Sequence, residues 1–206
     1  DNRDQMKRIL FFVLFVFLLP LFWAEAGISE LNASLIKAAE RGDLDAVKTI
    51  LAAGADMNAM EARTYQGFLI KNTTALMAAS EKGHTGMVKL LLDKGADINM
   101  KNRDGVTALW IALQNGHTEI AKMFLEKGAD VNVKNIADNS TVLMVASEKG
   151  YTEIVNLLLS KGADVKEKNS SNGVTALWSA ARNGHTAIVG LLLEKDTDLN
   201  VRNTNN

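Results

Sequence analysis

Three histidines, His84, His117 and His185, hold one equivalent place in the sequence, each directly after a glycine, and Tyr151 holds that place in a fourth copy. Imidazole is both the commonest metal ligand and the commonest general base, so a row of three raises both chemistries. Geometry removes the first. Copies stacked about 10 Å apart cannot bring their rings onto one ion with bonds near ~2.1 Å. The second fails for want of partners: Ser80, Ser147 and the scattered carboxylates form no set of nucleophile, base and orienting group. No Gly-rich strand-to-helix phosphate loop occurs either. No catalytic residue, metal ligand or cofactor is expected, and the histidines read as structural turn residues.

The elements that position them repeat. GVTALWIALQNGH begins at Gly105 and GVTALWSAARNGH at Gly173, 68 residues later, while TALMAASEKGH at Thr74 and TVLMVASEKGY at Thr141 fall between and before them. Aligned on the closing glycine, the copies end at Gly83, Gly116, Gly150 and Gly184, with spacings of 33, 34 and 34, and a weaker copy, SLIKAAERGD, reaches Gly42. Self-similarity at this period means stacked supersecondary units, none able to bury its apolar face alone.

One unit can be read from its letters. From Thr107 to Asn115 the residues Leu109, Ile111, Ala112 and Leu113 fit a short helix, with the Thr107 hydroxyl placed to hold an orphan backbone N–H at its start. Gly116 ends it. From Thr118 to Lys127 the helical spacing of Ile120, Met123, Phe124 and Leu125 predicts a second helix, and Gly128 supplies its left-handed end. The loops GADIN, GADVN and GADVK each carry an Asp suited to a turn.

The text T-x-L in the first helix, A-x-x-x-x-G-[HY] between helices, [IMV]-V-x-L-L-L in the second helix and G-A-D-[VI]-N in the loop resembles the ankyrin-repeat family, over roughly Asn32 to Asn203. The resemblance implies an all-α helix-turn-helix solenoid of about five stacked repeats with finger loops. Repeats are expected near 32–60, 73–101, 106–134, 140–168 and 174–203, with a long first loop at 59–73. Two departures stand out. Where the family has Pro after the Thr, this chain has Ala75, Ala108, Val142 and Ala176. Where it has His, this chain alternates Met77, Trp110, Met144 and Trp178. The Thr-to-His hydrogen bond that commonly rigidifies such repeats is therefore absent, and larger apolar contacts are expected in its place, with both Trp residues largely buried. The alternation also reads as duplication of a two-unit block.

Ahead of the array, Met6-Lys7-Arg8, the apolar run Ile9 to Trp23 and Ala24-Glu25-Ala26 have the order of a secretory signal peptide. At ~1.5 Å per residue the run spans about 22 Å as a helix, short of a ~30 Å hydrocarbon core, so no stable membrane insertion is expected after cleavage. Residues 1–26 are thus expected to be the leader, with a few residues ahead of Met6, and 27–206 the array, exported to a periplasm or secreted. The chain has a net charge of -1 and no cysteine, which excludes a polycation built for nucleic acid and removes thiol chemistry. The sequons at Asn32, Asn72, Asn139 and Asn169 fall in repeat text and Asn-rich loops.

Positions that vary between units carry the binding expectations. In ankyrin-like arrays the last two residues of each first helix look onto the concave groove. Here they are Glu40 and Arg41, Glu81 and Lys82, Gln114 and Asn115, Glu148 and Lys149, and Arg182 and Asn183. A second row follows the loops: Lys101, Arg103, Lys134, Lys168 and Arg202, an edge to which an acidic partner could dock. Tyr65 and Phe68 in the long first loop are candidate contacts, or fold back over the first two units. The resemblance implies a non-catalytic protein-binding module whose partner is another protein. Two further readings stand beside it. One is an envelope assembly or stabilising component that self-associates through the last repeat, where Ile188, Val189, Leu191, Leu192 and Leu193 read as an uncovered apolar end. The other is an inhibitory or accessory subunit of an exported enzyme.

Overall fold

The computed structural model describes residues 19–65 and 68–195, with side chains over 27–61 and 72–195. The expected leader up to residue 18, the close of the fifth expected repeat and Arg202 lie outside the described residues. Five pairs of helices follow one another: α1 (Leu19–Arg41) and α2 (Leu44–Ala52), α3 (Ala75–Lys82) and α4 (Thr85–Asp93), α5 (Ala108–Gln114) and α6 (Thr118–Glu126), α7 (Val142–Lys149) and α8 (Thr152–Ser160), α9 (Ala176–Arg182) and α10 (Thr186–Leu193). These are units one to five. The first helices pack in one row, α1 on α3, α3 on α5, α5 on α7 and α7 on α9. Behind them α4, α6, α8 and α10 pack in a second row.

The core lies between the rows and continues from unit to unit. Its largest fully buried side chains include Leu35, Met77, Leu91, Leu109, Phe124, Leu143, Leu158 and Ile188, so each unit shares its apolar face with the next. No unit of this length could close a core by itself.

Two ladders of polar contacts fix the stacking. The His84 ring donates from Nε2 to the Glu40 carbonyl oxygen at 2.9 Å, His117 to that of Glu81 at 3.1 Å, and His185 to that of Glu148 at 3.0 Å. A carbonyl only accepts, so each ring must carry its proton on Nε2. The histidines are the turn residues the sequence predicts, and each one reaches back to the preceding unit. They also explain Gly83 doubly. Its φ is +76°, and a Cβ there would lie 2.5 Å from the His117 ring.

The second ladder was not legible in the sequence. Asn32 Oδ1 accepts the Asp56 N–H at 2.8 Å, Asn58 that of Asp97 at 2.9 Å, Asn99 that of Asp130 at 2.9 Å, and Asn132 that of Asp164 at 3.1 Å. Each of those Asp side chains meanwhile accepts the N–H two residues ahead, closing its own turn. The Asn32 bond lies within unit one, and in the other three the N of G-A-D-x-N is the inter-unit link and not a polar filler. Lys166 occupies that place in the fourth unit, and an ammonium has no acceptor to offer.

Three expectations are corrected by the fold, and one is refined. The long loop contains two paired strands, β1 (Glu61–Tyr65) antiparallel to β2 (Phe68–Thr73), in text whose β-branched and aromatic residues favour extended pairing. Thr107 does not cap α5: its hydroxyl is buried without a hydrogen-bond partner, whereas Thr74, Thr141 and Thr175 each accept an N–H at their helix starts. Trp178 is less enclosed than Trp110, since among the described residues α9 has a stacked first helix on one side only, while Trp110 between α3 and α7 is 6% exposed. Leu192 is fully buried against the core, as is Ile188, so of the expected apolar end only Leu193, at 42% exposure, is open.

The first helix also starts earlier than the first expected repeat. It runs from Leu19 through Ala24-Glu25-Ala26 without a break, Pro20 falling in its first turn, where a missing N–H costs nothing. Among the described residues no helix is long and apolar enough to cross a membrane.

Candidate functional site

Short first helices with polar ends leave a depression where three of them meet the finger loops. It has a volume of about 440 Å³ and is lined from α5 by Trp110 and Gln114, from α7 by Met144, Val145 and Glu148, and from α9 by Trp178, Ser179 and Arg182 with the adjoining Asn183. The fingers close it from above with Asn135, Asp138, Ser140, Asn169, Asn172 and Val174. The Met/Trp stripe that replaces the family's His thus forms part of its floor.

Local chemistry holds the walls in place. In the finger after unit three, the Asn135 N–H bonds the Ser140 carbonyl at 3.0 Å and its Oδ1 accepts the Ala137 N–H at 2.8 Å, while Asn139 takes a left-handed φ of 56°. Asp138 accepts both the N–H and the hydroxyl of Ser140, at 3.0 and 2.6 Å, and its carbonyl accepts the Ser170 N–H of the next finger at 2.7 Å. In that next finger Asn169 Oδ1 accepts the N–H groups of Asn172 and Val174. At the helix ends, Arg182 stacks over the Trp178 ring with its guanidinium carbon 5.0 Å from the centroid.

Of the groove residues the sequence singles out, Gln114, Glu148, Arg182 and Asn183 come together in this depression. Glu40 and Lys82 instead meet each other, the Lys82 amine 3.7 Å from the Glu40 carboxylate. Arg41, Glu81, Asn115 and Lys149 are exposed and do not line it. Asn115 and Asn183 share a feature their spacing alone could not reveal. Each donates its side-chain N–H to a carbonyl of its own helix, Ile111 and Ser179 respectively, at 2.8 Å, so half of each amide is already committed.

The finger row is less uniform than its register implies. Lys101 and Arg103 are exposed on either side of Asn102, which is 7% exposed and accepts the N–H groups of Asp104 and Val106. Lys134 is bound by Glu167 at 2.6 Å, because a residue 33 positions on stands beside it in the next unit. Lys168 is exposed. The backbones of Tyr65 and Phe68 face each other at one end of the strand pair, and their side chains lie outside the described ones. Arg202 also lies outside the described residues. The residues the sequence missed are Asp138, Asn135 and Asn172. Their signal was the finger text NIADNS and NSSNG, rich in Asn and Asp where only a turn was read.

The opposite, convex face is tied by ion pairs between second helices. Lys122 bonds Glu153 at 2.5 Å and Lys127 bonds Asp93 at 3.3 Å. The hydrogen bond and charge of Glu153 raise the Lys122 pKa above its ordinary value. Among the described residues no group of three or more His, Asp or Glu could hold a metal ion.

A family model described as ankyrin repeats (3 copies) matches residues 35–135 and 133–203. No curated protein matches the chain significantly.

Proposed function

The chain belongs to the ankyrin-repeat family, whose arrays are protein–protein interaction modules and typically non-catalytic, and from that premise we propose that it holds a protein partner in the depression across units three to five. The observation that carries this reading is the convergence of three first helices and two fingers on one 440 Å³ concavity, whose floor includes Trp110 and Trp178. Tyr, Trp and Arg residues anchored in a concave patch are the side chains that carry most binding energy at protein interfaces. The place of action follows from the basic start, apolar run and A-x-A text of the leader, which support export and binding of the partner outside the cytoplasm.

The test is a quantitative pull-down with the full chain. Gln114→Trp, which fills the depression from an exposed position, should abolish partner binding with the circular-dichroism spectrum unchanged. Double reversal Lys82→Glu and Lys149→Glu, outside the depression, should weaken it by no more than a few-fold. Equal binding by wild type and Gln114→Trp would overturn the assignment to this depression. A second reading, self-association, rests on Leu193 at 42% exposure beside half-buried Val189 and Leu191. Light scattering that finds a dimer in the wild type and a monomer in Leu193→Lys would support it. A wild-type monomer at micromolar concentration would sink it.

A further inference from the structure

We infer that the occupant of the depression is a partner segment that inserts a basic side chain, Arg or Lys, between Asp138 and Glu148. This rests on the groove reading above and reverses the acidic partner that the row of finger cations implies.

Charge decides the polarity. The depression is lined by two carboxylates, Asp138 and Glu148, and one cation, Arg182. That cation stacks on the Trp178 ring at 5.0 Å and keeps its in-plane N–H donors, so the carboxylates outnumber it two to one. Carboxylates accept hydrogen bonds only, and a guest with several N–H donors and a positive charge is their complement. The same site offers an anionic guest one guanidinium against two like charges. Like charges in a partly desolvated site repel strongly enough to reject a partner.

Both carboxylates sit on immobilised backbone. The Glu148 carbonyl is held by the His185 ring at 3.0 Å, and Asp138 is held through its carbonyl by the Ser170 N–H at 2.7 Å and through its side chain by Ser140. Such preorganisation lowers the ordering cost that a guest would otherwise meet. The contrast with the first two units is direct, for there the groove charges Glu40 and Lys82 satisfy each other. On the finger edge, Glu167 already occupies Lys134, which removes the middle of the row that an acidic partner would need.

A random twelve-residue peptide library displayed on phage, selected on the immobilised full chain, tests this. Peptides that bind wild type and not Gln114→Trp define groove binders. The expected result is that these carry a recurrent Arg or Lys. Their affinity should fall about tenfold in Asp138→Asn and again in Glu148→Gln, as loss of a charge-assisted hydrogen bond requires. Their binding should also weaken with added salt. Groove binders with a recurrent Asp or Glu, or basic ones indifferent to both substitutions, overturn the inference and leave the groove reading standing. A selection that yields no peptide sensitive to Gln114→Trp overturns both. Because Asp138 also braces its own finger, Glu148→Gln, at an exposed helix end, is the variant that decides if Asp138→Asn fails to fold.

Discussion

Units two and four end their first helices differently from units three and five, and the difference is written in two letters. In the Met units α3 and α7 run eight residues, finish on Glu-Lys and close on a left-handed glycine, Gly83 and Gly150. In the Trp units α5 and α9 run seven, and the following Asn115 or Asn183 folds its amide back onto the helix at 2.8 Å. A left-handed glycine follows in all four units, Gly83, Gly116, Gly150 and Gly184, and the Lys before it in the Met units carries its charge outward. A short Asn competes with the backbone for its carbonyls and ends the helix a residue sooner. Alternation of charge and amide along the groove is thus also an alternation of helix length. The apolar residue at the other end of the helix alternates with it, Met77 and Met144 against Trp110 and Trp178.

The largest effect that would break this comparison concerns the two Trp residues, which the sequence makes equivalent. Trp110→Ala should destabilise by about 3 to 5 kcal/mol, as aromatic truncation in a core does. Trp178→Ala should cost about 1 kcal/mol less, because its ring is less enclosed than that of Trp110. Urea midpoints of the two variants measure both, and equal shifts would mean that the last unit is as enclosed as the third.

Next come the helix starts. Thr141→Val should cost about 1 kcal/mol through loss of the bond to the Met144 N–H. At Thr107 the same change should be neutral or stabilising by up to about 1 kcal/mol, since it removes a buried hydroxyl with no partner. A Thr107→Val midpoint that falls as far as that of Thr141→Val would show that the Thr107 hydroxyl is bonded in solution.

A smaller effect sharpens the helix ends. Asn115→Ala should destabilise by about 0.5 to 1 kcal/mol, whereas Lys149→Ala, which keeps the glycine cap, should stay within about 0.5 kcal/mol of wild type. Thermal melts of the two variants rank them.

The smallest prediction belongs to the convex face. With its pKa raised, Lys122 contributes stability that is fully present below the ordinary lysine range and is lost as pH rises through its folded value. The midpoint difference between wild type and Lys122→Met should therefore be constant through neutral pH and shrink only in alkaline solution. A difference that closes between pH 6 and 8 would show that some other group governs it.

Repetition made the fold legible before any coordinate was known. Helix pairs, turn glycines and the equivalent place of His84, His117 and His185 follow from period and periodicity, because each is a property of one unit copied along the chain. What one unit cannot encode is its neighbour. That Asn99 would reach Asp130, that Glu167 would occupy Lys134, or that Trp178 would be less enclosed than Trp110 depends on what stacks against each residue. The strand pair at 61–73 interrupts the period, so repetition gave it no second copy to be read against. The candidate site divides along the same line. Four of its residues, Gln114, Glu148, Arg182 and Asn183, were visible as helix ends. The opposing wall of Asn135, Asp138 and Asn172 was invisible as anything but turn text. Sequence by itself determined the units and their apolar faces, because those depend on spacing along one chain. Only the stacked structure decided which charges are neutralised, which rings are covered and where the concavity lies, because each of those is set by distances between residues more than thirty positions apart.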